Sequence, residues 1–144
     1  MKYAINVQII TSDDVAKAFT IRQKVFVEEQ KVPEELEIDE FENESIHFLA
    51  YVNGEAVGTA RMRWQDNRTA KAERVAVLAH YRGTGVGREL MQAIENEAKH
   101  QKATAVQLNA QIQAQPFYER LGYKAYGDIF LDAGIEHIAM KKEL

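Results

Sequence analysis

The sequence predicts a mixed α/β (α+β) domain, one central sheet of about six or seven strands flanked by helices, with residues 1–144 forming a single unit. Three observations carry this. Residues 46–78 hold three β-rich runs separated only by tight turns, the pattern of an antiparallel meander. The last run passes directly into Gly83-Thr84-Gly85-Val86-Gly87 and an amphipathic helix. Another strand follows that helix, and a strand–helix–strand of this size implies a right-handed crossover and a parallel pair.

Taken in order, Met1–Val7 has no apolar leader, and residues 3–10 alternate as a first strand. Thr11 and Asp14 stand at capping-box spacing ahead of a helix that places Val15, Ala18, Phe19, Val25 and Phe26 on one face. Arg22 falls on the same apolar face; a buried Arg must be paired, which favours a structural ion pair over a group aimed into a site. Residues 28–44 lack periodicity and read as a loop or short second helix bordering the active face. Residues 46–52 form a strand, Asn53-Gly54 a hairpin turn, 56–64 the returning strand, and 70–78 the third. The helix 85–100 sets Val86, Leu90, Ala93, Ile94 and Ala98 toward the core and a Glu95–Lys99 pair toward water. A strand at 105–110 and a short helix 111–121 around Pro116 follow. Two last strands, 123–126 and 135–140, are separated by 128–134.

Composition narrows the function. The chain has no Cys, which excludes disulfides, thiolate metal sites and a Cys nucleophile and fits a cytoplasmic setting. No run approaches the roughly 18 apolar residues of a membrane helix. Net charge of −4 argues against nucleic acid as a partner. Four histidines without ligand-type spacing suggest no metal. The charge is uneven, with nine carboxylates and one cation, Lys31, between Glu28 and Glu44, leaving 17 basic and 13 acidic residues elsewhere. Such a band either attracts a cationic acceptor, with Glu28 and Glu29 foremost, or is a solvated acidic loop.

Glycines at a strand-to-helix junction let backbone N–H groups converge at the positive end of a helix dipole, which suits a phosphate or pyrophosphate. Arg82 adds a cation. A P-loop is excluded because no Gly-Lys-Ser/Thr follows, and a dinucleotide fingerprint because position 88 is Arg. Arg82-x-x-Gly85-x-Gly87 after Glu73-Arg74-Val75-Ala76-Val77 instead resembles the pyrophosphate loop of the GNAT superfamily of N-acetyltransferases. Gln111-Ile112-Gln113-Ala114-Gln115-Pro116-Phe117-Tyr118, continuing to Gly122-Tyr123, resembles that family's Asn-x-x-Ala-x-x-x-Tyr-x-x-x-Gly-Phe segment, with Gln111 for Asn and Tyr123 for Phe. The blocks around Ile21–Gln30 and Leu131–Met140 resemble ElaA-like and YjcF-like bacterial members.

The resemblance implies a GNAT fold splayed between the fourth and fifth strands, acetyl-CoA as cosubstrate, and transfer of acetyl to a small-molecule or peptide amine. A non-catalytic acyl-CoA-binding or sensing module is the alternative. Backbone groups of Val75, Ala76 and Val77 would bond the pantetheine arm, one N–H acting as an oxyanion donor. Arg82, Gly83, Thr84, Gly85, Val86 and Gly87, with Gln111 and Phe117, complete the implied cofactor site. Tyr118 is the implied general acid, a phenol of pKa about 10 that can protonate a departing thiolate; its bland alternative is a packing tyrosine. Glu73 is the first candidate base, with His47 and His137 as alternatives. Oligomeric state is open; the family resemblance allows a homodimer, for which edge strands at 135–140 could pair.

Overall fold

The computed structural model of the protein describes residues 3–144; Met1 and Lys2, at the approach to the first strand, lie outside the described residues. Seven strands form one sheet: β1 Ile5–Ile10, β2 Ile46–Val52, β3 Glu55–Trp64, β4 Thr69–Val77, β5 Ala105–Gln111, β6 Lys124–Asp132 and β7 Ile135–Glu143, in the order β1-β2-β3-β4-β5-β7-β6. Only β4 and β5 run parallel, as the crossover through helix α3 (Val86–His100) requires. The meander β2–β4 closes through Asn53-Gly54, both at positive φ, as two-residue hairpins demand.

The sheet has two unlike faces. On one, Phe48, Met62, Ala72, Val106, Leu108 and Met140 pack with Val86, Leu90, Met91 and Ile94 of α3 into the main core. On the other, Leu49 and Ala76 meet Ala18, Ile21 and Val25 from helix α1 (Val15–Arg22) and its continuation Gln23–Glu29, which widens to i→i+5 bonding. Asp14 is the N-cap of α1 and makes no side-chain cap bond, so the Thr11–Asp14 capping box does not form. A one-turn helix α2 (Glu34–Glu37) follows. No helix among the described residues is long and apolar enough to cross a membrane.

Three expectations are corrected. The last strands are longer than 123–126 and 135–140: β6 continues to Asp132 past a bulge at Gly127, and Ala133-Gly134, both at positive φ, turn it into β7. β7 lies between β5 and β6, so residues 135–140 are not an edge; β1 and β6 are. Glu95 is buried rather than wet, accepting hydrogen bonds from the Tyr123 hydroxyl and Lys142 Nζ, each at 2.9 Å. The register of α3 turns Glu95 with Met91 and Ala98 toward the strands, where Lys142 compensates its charge. Burial, then the Glu95 charge, push the Tyr123 phenol up.

Candidate active site

The site begins where two strands part. β4 and β5 pair from Thr69↔Ala105 to Ala72↔Leu108 and no further, so Glu73–Val77 and Asn109–Gln111 diverge. The parting has a local cause on the β3 side. Thr59 pairs with Ala76 and Arg61 with Glu73, leaving two β4 residues, Arg74 and Val75, opposite Ala60. Arg74 takes φ 55°, a left-handed angle that costs a non-glycine residue roughly 1–3 kcal/mol. This bulge bends β4, and the Arg74 side chain reaches Glu37 and Asp39.

The gap opens into a cleft of about 700 Å³. Of the expected residues, Glu73, Val75, Ala76, Val77, Arg82, Gln111, Phe117 and Tyr118 line it. Gly83–Gly87 form the turn beside it rather than its wall. A Cβ on Gly87 would stand 3.3 Å from Phe117 Cζ and 3.8 Å from Val77 Cγ2, both lining residues. Gly85, at φ 100°, caps α3, and Gly83 is at φ 76°. Glycine is therefore required twice for conformation and once for close approach, leaving α3's first N–H groups uncovered. A phosphate group fits this cradle. Arg82 is engaged within the protein: Nε donates to the Val77 carbonyl at 3.0 Å, and the guanidinium pairs with Glu29 at 2.9 Å. Thr84 donates to the Tyr81 carbonyl, and Gln111 Nε2 donates to Gln30 Oε1 across the cleft at 2.7 Å.

Tyr118 lies on the short helix α4 (Gln115–Arg120), its ring edge-on to Phe117 and Tyr123. Burial pushes its phenol up to about 12. It therefore keeps its proton throughout the neutral range and is a weaker acid than an exposed tyrosine.

Glu73 lies in a different environment. Its Oε1 accepts from Arg61 Nη2 at 2.9 Å and Arg63 Nε at 2.8 Å, and Lys71 Nζ is 3.5 Å from Oε2. Burial pushes the carboxyl up, but the Arg63 hydrogen bond and the charges of Arg61 and Lys71 prevail and hold it below the ordinary carboxylate range. Oxygens so engaged make a poor proton acceptor, which opposes the base role expected of Glu73.

The network extends into the acidic segment. Arg61, 1% exposed, forks onto Asp39 at 2.7 and 2.8 Å and reaches Glu42 at 3.0 Å. Arg22 binds Glu37 at 2.8 Å and Glu42 at 2.7 Å, and Arg74 binds Glu37 and Asp39. Residues 28–44 therefore divide: Glu28, Glu34, Glu35, Glu40 and Glu44 are exposed to solvent, whereas the remaining carboxylates are engaged with arginines. Glu37, Asp39 and Glu42 neutralise three internal arginines, Glu29 holds Arg82, and neither Glu28 nor Glu29 lines the cleft. Arg22 has the structural role its apolar face implied. His47 is buried with Nε2 against the Glu42 carbonyl and lies outside the cleft wall. Of the residues missed from sequence, Arg61 and Arg63 left one usable signal, since cations at alternate positions of an interior strand need carboxylate partners, and Arg74 on β4 left none.

An acetyltransferase (GNAT) domain family model matches residues 9–144. The chain belongs to the GNAT acetyltransferases. It is 46% identical over 132 residues to the protein described as uncharacterized N-acetyltransferase YjcF of Bacillus subtilis (strain 168), covering 91% of this chain and 94% of that one. A crystal structure of a putative N-acetyltransferase from Lactobacillus plantarum superposes with a TM-score of 0.91 at 28% identity, covering 98% of this chain and 99% of that one. Escherichia coli ElaA superposes at 0.83 with 27% identity and the same coverage. This GNAT chain shares their overall fold along nearly its whole length.

Proposed function

We propose that this GNAT protein transfers acetyl from acetyl-CoA to a primary amine by direct attack on the thioester. The observation that carries the reading is the gap beyond Ala72↔Leu108, with Val75–Val77 on one side, Tyr118 in the wall and the Gly85–Gly87 helix start at its margin. Backbone N–H groups of the 83–87 turn hold the pyrophosphate, and Arg82 joins them on leaving Glu29. Unpaired backbone of β4 orients the arm and polarises the thioester carbonyl. Tyr118 donates its hydrogen to the departing sulfur, and Glu73 fixes Arg61 and Arg63 beside the bulge. The acceptor is a small-molecule or peptide amine. A cysteine-free chain that uses acetyl-CoA fits the cytoplasm.

The test is release of free CoA from acetyl-CoA across a panel of aliphatic amines, amino acids and peptides. Tyr118→Phe is expected to lower kcat by about 100-fold. Stabilisation by acetyl-CoA should persist in that variant, at about 2.7 kcal/mol when ligand is at 100 times Kd. Stabilisation without CoA release from any amine would mark a binding or sensing module instead.

A further inference from the structure

We propose that His137, on β7, is the general base, taking the acceptor's ammonium proton at Nε2; the assignment rests on the transferase reading above. His137 Nδ1 stands 2.7 Å from the Ile135 carbonyl oxygen. A carbonyl only accepts, so Nδ1 carries the ring hydrogen and the lone pair lies on Nε2, which has no partner among the described residues. Phe130 stacks on the ring at 5.9 Å and 24°, fixing its plane. Register places His137 opposite Gln111, beyond the point where β4 and β5 part, and the residue lines the cleft that Tyr118 also lines.

The charged groups sharing the cleft wall with the imidazole are Asp132 of β6, Lys71, Glu73 and Arg74 of β4, Glu37 and Asp39 from around α2, and Arg82 beside the glycine turn. All but Asp132 are bound in ion pairs. Glu73 is held by its cations, Tyr118 keeps its proton, and His47 is outside. Asp132 draws the ammonium in; the imidazole, a class of base suited to neutral pH, takes the proton. Nε2 removes one ammonium proton, and the freed lone pair forms the C–N bond at the thioester carbonyl. The C–S bond breaks with its electron pair on sulfur, which takes the Tyr118 proton. The nitrogen's second proton replaces that one through water, and the imidazolium releases its own to solvent.

The experiment compares the fastest aliphatic amine of the panel, an ammonium at neutral pH, with phenylhydrazine, largely neutral there and in no need of a base. His137→Asn keeps an N–H near the Ile135 carbonyl without a basic nitrogen; His137→Gln is the second variant should the first not fold. With the aliphatic amine, kcat/KM should fall about 100-fold, while phenylhydrazine stays within about threefold of wild type. Acetyl-CoA stabilisation should be unchanged. Equal losses with both nucleophiles, or no loss with either, would overturn the assignment and leave the transferase reading standing. A wild-type protein that acetylates neither would overturn that reading, and this one with it.

Discussion

The two ends of β4's C-terminal half, Glu73–Val77, solve opposite problems within a few residues of each other. Around Glu73 and Arg74 nearly every formal charge is matched, with Arg61 touching Asp39, Glu42 and Glu73 at 2.7–3.0 Å. Along Val75–Val77 there is no side-chain charge, and the backbone edge toward β5 is left without a strand partner. One end is saturated and rigid; the other is open. An open edge is a liability unless something fills it. In this protein the saturated end holds the bulge that creates the open one, so the ion pairs shape the cleft without presenting free charge to a ligand.

The largest effect should come from breaking the saturated end. Arg61→Ala leaves Asp39, Glu42 and Glu73 partly uncompensated and should cost about 3–5 kcal/mol in urea unfolding. A loss below about 1 kcal/mol would mean that the network is as weak as exposed pairs. Acid should attack the same end. Burial pushes the Asp39 carboxyl up, but its Arg61 and Phe41 N–H hydrogen bonds hold it at about 2; Glu42 is likewise held at about 2, by Arg22 and the Asp39 N–H against its burial. Both are depressed from unfolded values of about 4. The stability they add is therefore fully present above pH of about 5 and lost as pH falls through about 4 to 2. Thermal midpoints should drop steeply across that window, and Glu42→Gln should flatten the drop.

The open end was far more legible in sequence than the saturated one. Local signals carried it: strand alternation, Asn53-Gly54, glycines before a helix, and Tyr118 at its spacing from Gly122. The parting of β4 from β5 was reachable only through family resemblance, because neither strand's composition records where pairing stops. The network was illegible because its partners lie far apart along the chain, Arg22–Glu37 by 15 residues and Arg74–Glu37 by 37. An acidic stretch looks the same whether its cations are solvent counterions or buried arginines. Glu95 reads as a wet-face residue for the same reason, since its partner Lys142 lies 47 residues away. The β6 extension was hidden by Gly127 and two aspartates, which read as a loop yet form a bulged strand.

Smaller effects belong to the open end. Gly85→Ala must adopt φ 100° with a Cβ, at roughly 1–3 kcal/mol. Nothing crowds that Cβ beyond ordinary contact with Ile5 at 3.6 Å, so the fold should survive. Binding should suffer more than stability, because helix-start N–H groups shift from their convergence. Titration calorimetry with acetyl-CoA should show weaker binding, and an unchanged Kd would remove the turn from the cofactor site.

The smallest stability change, and the sharpest contrast, should come from the Arg82–Glu29 pair. Both side chains are nearly half exposed, so either single substitution should alter unfolding by no more than about 1 kcal/mol. Their effects on acetyl-CoA should have opposite signs. Arg82→Ala removes a cation from the pyrophosphate turn and should weaken binding. Glu29→Gln frees the same guanidinium from its competitor and should tighten it, by a factor that shrinks as salt is raised. Were Glu29→Gln instead to weaken cofactor binding as Arg82→Ala does, the pair would be a strut for the cleft wall, and the contrast between a saturated and an open end would have to stop short of Arg82.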